Sequence, residues 1–270
     1  EIAGAAAGAD MPFDAAWLVQ CGPMMEAFAR AGESHRQPFG TLFAAVGLKA
    51  GADDILIGHN LDWPESVNPV VYDARPEDGR PFLLVGLPSN GGGFSGMNDA
   101  GVVVCVERNE TLGNPELQGP PIELVVAHIL RKARSTWAAL EILDAYPHLQ
   151  GYHVLVADPV AGGDGVPPVR VVQLGGTPRL RGPTEGVLLG ANPEAPQLDD
   201  SARDRYLRLA ALLAEERHLN ASEVEAFLSD AEEAIAETSS VFNDRTRYSV
   251  VFEPKARRMR IAVPADSGRP

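Results

Sequence analysis

The chain has 270 residues, 45% of them hydrophobic, and a net charge of −14. That length is enough for one large domain with an ample core. No apolar run reaches eighteen residues, which argues against a membrane-spanning helix. No lysine and arginine stripe offers the basic footprint that nucleic acid requires.

The two cysteines, Cys21 and Cys105, are too few for a disulfide scaffold or a zinc cluster. Cys105 lies inside the apolar run Val102-Val103-Val104-Cys105-Val106 and reads as a buried structural thiol. The sequence opens at Glu1 without Met, and its visible start has no signal-like apolar core, so the cytoplasm is the expected compartment.

In chain order, residues 1–9 are small and read as flexible. Residues 11–32 carry Phe13, Trp17, Leu18, Met24, Met25 and Phe28 at rough helical spacing. Gly22-Pro23 predicts a break there into two short helices. Residues 34–38 form a polar link. Gly40 to Trp63 then reads as a hairpin, with Thr41, Phe43, Val46 and Leu48 on one strand and Ile55-Leu56-Ile57 on the next. The turn-rich stretch 50–54 joins them. The second strand ends in Gly58-His59-Asn60-Leu61-Asp62-Trp63-Pro64, which gathers polar groups where proline stops the strand. A hairpin brings that end beside Gly40 and Thr41, a plausible place for chemistry.

Short strands follow at 70–72 and 82–87. The glycine-rich loop 89–93 lacks the pattern of a phosphate cradle. Asn98-Asp99-Ala100-Gly101 has the chemistry of a tight turn that Asn98 closes. Residues 121–146 predict two helices, the first with Pro121 at its first position and the second capped by Ser135. His128 reads as a packed or surface histidine. Strands are expected at 152–157, 169–174 and 186–191, the last stopping at Asn192-Pro193. A helix is expected over 200–216, and Ser222-x-x-Glu225 predicts a capping box for another over 222–229. Residues 231–238 read as a solvated acidic helical face, and strands 247–253 and 258–263 end the chain. The order is not the regular alternation of a doubly wound sheet. It predicts a single α+β domain over 1–270, with mostly antiparallel sheets covered by helices. No metal-binding constellation and no cofactor motif is present.

These segments together resemble the N-terminal nucleophile hydrolases of the acyl-coenzyme A:6-aminopenicillanic acid acyltransferase type, whose relatives include choloylglycine hydrolases and acid ceramidase-like amidases. Glu1-x-x-Gly4-x-Ala6-x-Gly8 is similar to the family's opening. Gly58-His59-Asn60-Leu61-Asp62-Trp63 is similar to its G-[RQ]-N-x-D-[WFY] motif. Phe94 to Gly101 is similar to its G-x-N-E-x-G-L turn. Ala191-Asn192-Pro193 and Ser201-x-x-x-Arg205-Tyr206 are similar to its A-N-H and S-x-x-x-R-[FY] elements.

The resemblance implies a four-layer αββα sandwich and a nucleophile at the start of the first hairpin strand, freed by cleavage of the bond before it. It implies an amidohydrolase or acyltransferase that forms a covalent acyl-enzyme from a small amide or activated acyl substrate. Asp62 would orient the nucleophile or its amine. Asn98 and Asn192 would supply oxyanion or substrate hydrogen bonds. Arg205 would support Asp62 and the nucleophile, with His59, Asn60 and Trp63 at the substrate. The family usually has cysteine where Gly40 stands. Three readings follow: Thr41 is the nucleophile, with cleavage at 40/41; position 40 is a replaced cysteine; or the chain is a homologue that binds a ligand without this nucleophile.

Overall fold

The computed structural model describes residues 2–29, 40–51, 55–63, 67–88, 92–108, 120–146, 151–160, 168–175, 179–191, 200–214, 218–231 and 240–264. The helices are α1 (Ile2–Gly8), α2 (Phe13–Ala29), α3 (Ile122–Lys132), α4 (Thr136–Asp144), α5 (Asp200–Ala214) and α6 (Ala221–Leu228). The strands are β1 (Thr41–Val46), β2 (Ile55–Asp62), β3 (Val70–Ala74), β4 (Phe82–Gly86), β5 (Ser95–Asn98) and β6 (Val103–Arg108). They continue as β7 (Tyr152–Ala157), β8 (Val169–Leu174), β9 (Arg179–Arg181), β10 (Val187–Leu189), β11 (Thr246–Glu253) and β12 (Arg258–Ala262).

Two antiparallel sheets form. One has the order β10-β1-β2-β11-β12 and the other runs β3 to β9 in sequence order. Helices α3 and α4 cover the outer face of the larger sheet, and α5 and α6 cover that of the smaller. This is the four-layer αββα arrangement expected from the sequence. Strand alternation explains the layering. Leu42 and Ala44 of β1 enter the core between the sheets, with Ile57, Val103, Cys105 and Val250. Phe43 and Ala45 turn the other way, onto Tyr206, Leu209, Val224 and Phe227 of α5 and α6. Cys105 and Cys21 are free and buried, as the apolar setting of Cys105 predicts.

Several local expectations are corrected. Residues 2–8 form a helix rather than a flexible start, which suits their alanine content. Helix α2 runs unbroken through Gly22-Pro23. Its expected apolar face is open to solvent at Phe13, Trp17 and Leu18. Leu48 belongs not to a strand but to a 3-10 turn over Gly47–Ala50, and it is exposed. Pro121 is the N-cap of α3 rather than its first helical residue. The capping box of α6 is Asn220 with Glu223, two residues before the expected Ser222 and Glu225. Ser135 caps α4, accepting from Ala138 N at 3.2 Å. The linker 34–38 and the acidic stretch 232–238 lie outside the described residues. No helix among the described residues is long and apolar enough to cross a membrane.

Asn98 ties the turn after β5 to α3. Its Nδ2 donates to Leu130 O at 2.9 Å and to Ala133 O at 2.8 Å, the open carbonyls at the end of the helix. Its Oδ1 accepts from Ala100 N and Val102 N, each at 3.0 Å. Replacing Asn98 with Ala leaves buried carbonyls and amides without partners. The expected loss is about 3 kcal/mol of unfolding free energy, read as a lower urea midpoint at unchanged m-value.

Candidate active site

The hairpin pairs Thr41 with Asn60, so Asp62 lies beyond the first residue of β1, level with the chain that enters it. Asp62 is 2% exposed. Its Oδ2 accepts from Arg205 Nη1 at 2.6 Å and from Asn243 Nδ2 at 2.9 Å. Its Oδ1 accepts from Thr246 Oγ1 at 2.8 Å. Arg205 is fully buried on α5, and its Nη1 also donates to the Gly40 carbonyl at 3.1 Å. One guanidinium nitrogen thus bridges the carboxylate and the carbonyl just before Thr41. Among the described residues, the buried Nε and Nη2 atoms of Arg205 have no partner, and neither does Thr41 Oγ1.

Gly40 has φ +102°, in the region that favours glycine. A Cβ there would lie 1.9 Å from Asn60 O and 3.3 Å from Asp62 N. No side chain fits this backbone, so a cysteine at position 40 would require the chain to move.

A second polar group lies on the other side of β1. Leu42 N donates to the Tyr206 hydroxyl at 3.3 Å, and that hydroxyl donates to Glu107 Oε2. Gly190 closes the same contact: its N–H donates to Leu42 O at 2.6 Å. A Cβ on Gly190 would fall 2.7 Å from Tyr206 Oη and 2.9 Å from Glu107 Oε2. Arg181 Nη2 donates to Gly190 O. His153 Nδ1 stands 4.0 Å from Glu107 Oε2 and has no hydrogen-bond partner among the described residues.

Burial is the largest influence on the Glu107 carboxyl and lifts it to about 8. The Tyr206 hydrogen bond and the Arg205 and Arg181 charges pull it back down, and Asp62 adds to the rise. Burial also pushes His153 down to about 3, with the Arg181 charge acting in the same direction. Glu107 and His153 therefore share a neutral state near pH 7.

The structure brings Gly40, Thr41, Asp62 and Arg205 together. It separates Asn98 from them, because Asn98 faces α3 across the larger sheet and both its amide hydrogens are committed there. The expected oxyanion role of Asn98 is corrected on that ground. Asn60 is also structural: its Nδ2 donates to Leu228 O and Val241 O, each at 2.9 Å, and the residue is fully buried. His59 points between the sheets with Nδ1 2.5 Å from Ser95 Oγ. Burial holds it down to about 3, so it carries no charge near pH 7. Trp63 is partly exposed and packs on Phe94 with ring centres 5.8 Å apart. Asn192 lies outside the described residues.

Glu107 escaped the sequence reading. It closes a run of valines, and only the distant Tyr206 gives it meaning. Among the described residues no group of three or more histidine, cysteine, aspartate or glutamate side chains could hold a metal ion.

No protein-family model matches the chain, and no curated protein sequence matches it. Its fold does match solved structures. An N-acylethanolamine-hydrolyzing acid amidase ortholog from Caenorhabditis elegans aligns at TM-score 0.60 and 16% identity, over 80% of this chain and 93% of that one. A mutant of the conjugated bile acid hydrolase from Clostridium perfringens aligns at TM-score 0.56 and 14% identity, over 84% and 90%. The penicillin V acylase from Agrobacterium tumefaciens aligns at TM-score 0.54 and 15% identity, over 83% of each chain. At these identities the likeness establishes the fold alone, the four-layer αββα arrangement.

Glu107 gives the site a signature in stability. Its folded-state value, about 8, is raised above the unfolded carboxyl near 4.5, so the native state binds the extra proton between those values. Stability from this group is complete below about pH 4.5 and is lost as pH rises through 8, with a slope of at most about 1.4 kcal/mol per pH unit. Glu107→Gln removes the titration. The difference between wild-type and variant unfolding free energies should therefore drift between pH 5 and 8. A constant difference would mean that Glu107 titrates normally.

Proposed function

We propose that the chain is an amidase acting on small-molecule amides, with Thr41 as nucleophile after cleavage of its own 40–41 bond. The observation that carries this reading is the Arg205 Nη1 hydrogen bond to the Gly40 carbonyl, beside a Thr41 hydroxyl that has no partner among the described residues. That carbonyl is the electrophile of the first step. The Thr41 hydroxyl adds to the Gly40 carbonyl carbon, and its proton goes to the Thr41 nitrogen as the carbon–nitrogen bond breaks. An ester links the two residues. Water then hydrolyses it, leaving a Gly40 carboxylate and a free Thr41 amine. The guanidinium lies where negative charge builds on the carbonyl oxygen, which lowers the barrier.

The freed α-amine then takes the Thr41 hydroxyl proton as that oxygen attacks a substrate amide. The amine product leaves with a proton, and water releases the acyl group. Asp62, paired with Arg205, fixes the guanidinium and keeps its charge from being uncompensated in the interior. The amidases among the structural neighbours support an amide as the substrate. Transfer of the acyl group to a second amine requires only that an amine replace water in the last step.

The positive φ of Gly40 and the 1.9 Å approach to Asn60 O argue against a lost cysteine at that position. A second reading has its own observation. Thr41 is fully buried, which suits a chain that stays whole and binds an amide without turnover.

Intact-mass measurement of freshly made protein separates the two. Two fragments with Thr41 at the new terminus are expected, and Thr41→Ala should leave one 28.7 kDa chain. A wild-type chain that stays whole and inert towards amides supports the binding reading instead. Gly40→Cys should not rescue anything. It should lower stability by about 2 kcal/mol or more through backbone strain, measured by urea unfolding.

A further inference from the structure

Cleavage at 40/41 creates charge in a buried place. With one water taken up, the Gly40–Thr41 amide becomes a Gly40 carboxylate and a Thr41 ammonium. Gly40 fixes where that carboxylate forms. The residue is buried, and its carbonyl oxygen already accepts from Arg205 Nη1 at 3.1 Å. Its φ of +102° lays it flush on the end of β2, since a Cβ there would lie 1.9 Å from Asn60 O.

The guanidinium can hold more than the carbonyl does now. Nη1 donates to the Gly40 carbonyl and to Asp62 Oδ2. The buried Nη2 and Nε of Arg205 have no partner among the described residues. A buried donor costs free energy until an acceptor reaches it. The second oxygen of a Gly40 carboxylate is such an acceptor. It shares its carbon with the oxygen that Nη1 holds, and the fork of Nη1 and Nη2 matches the two oxygens of a carboxylate. Charge stays balanced as well. Asp62 and Arg205 neutralise each other before cleavage, and the new carboxylate arrives together with the Thr41 ammonium.

We infer that Arg205 retains the Gly40 carboxylate after cleavage, so that the chain's own cleavage product stays bound at the site and inhibits it. The inference rests on the cleavage step of the amidase reading and goes beyond it. Two effects hold activity down. Thr41 is fully buried with Gly40 in place, and a retained Gly40 keeps it covered. The carboxylate beside the α-amine also favours the ammonium form, which cannot act as a base. The segment that carries Gly40 stays close. Ala16, Gln20 and Cys21 of α2 are buried. Burial and then the Glu123 carboxyl of α3 push the Cys21 thiol up, which puts α2 against α3. A fragment docked in this way keeps its end at a high effective concentration.

The test uses the full chain grown on glycine labelled with carbon-13 at its carbonyl. Intact mass first establishes that the protein is cut. Gly40 then gives a carboxylate carbon signal apart from the peptide carbonyls. The free peptide Gln-Pro-Phe-Gly, the sequence of residues 37–40, is the reference. Its terminal carboxyl titrates at about 3.5, so its signal moves between about pH 5 and 4. A carboxylate held by Arg205 keeps its charge to lower pH, so the Gly40 signal should stay constant over that range. A carboxypeptidase should remove Gly40 at least about tenfold more slowly from the protein than from the peptide. Trimmed protein should then hydrolyse butyranilide with kcat/KM raised about fivefold or more. The pH at which its activity rises should move down, because the α-amine has lost a neighbouring negative charge.

A Gly40 signal that titrates with the peptide, or trimming at the peptide's rate, overturns retention and leaves the amidase reading standing. Trimming that leaves kcat/KM unchanged overturns the inhibition. A single uncut mass sinks the amidase reading and retention together, because no carboxylate forms. If a cut chain hydrolyses no amide even after trimming, the amidase reading fails separately, and the two carboxylate measurements decide retention.

Discussion

A buried guanidinium has to be neutralised and hydrogen-bonded, and that requirement organises this molecule around Arg205. The side chain is fully buried, and Asp62 is its sole ion-pair partner among the described residues. Taking two charges out of water is expensive, and geometry has to repay it. Here the repayment draws in four segments. The end of β2 supplies Asp62, α5 supplies Arg205, and the chain around β11 supplies Asn243 and Thr246 to the remaining carboxylate positions. The fourth segment is the entry to β1, whose Gly40 carbonyl takes a bond from the same Nη1. Removing either charge would strand the other in the interior. The pair therefore fixes where β1 begins relative to the helix layer, and so where Thr41 sits.

The two faces of β1 divide the labour. Thr41 and Phe43 belong to the side of α5 and α6, and Leu42 and Ala44 to the space between the sheets. Arg205 reaches the carbonyl before the strand, while the next residue on its helix, Tyr206, takes the amide of Leu42 and passes a hydrogen bond to Glu107. Two consecutive residues of one helix thereby brace the strand start from both sides. Gly190 lets the bracing close, since any side chain there would collide with Tyr206 and Glu107.

Much of the fold was legible in the sequence. Short apolar runs marked β1, β2, β6, β7, β8 and β11, and the irregular order of helices and strands pointed to antiparallel layers. Asp62 and Arg205 were found through motif resemblance, since nothing in local spacing links residues so far apart. Asn98 shows the limit of that method. Its turn chemistry was read correctly from Asn98-Asp99-Ala100-Gly101, and the structure uses it for that turn and for α3, not for an oxyanion. Glu107 stayed hidden because its partners, Tyr206 and Gly190, are distant in sequence. Gly22-Pro23 misled because surrounding context carried a helix through a local breaker.

The nucleophile is the claim on which the functional account turns. Peptide mapping after reaction with an activated acyl donor, such as an acyl p-nitrophenyl ester, tests it most directly. The account predicts a single adduct on the Thr41 oxygen, carried by a chain that begins at Thr41. An adduct on another residue, or none on protein that otherwise hydrolyses amides, would contradict it.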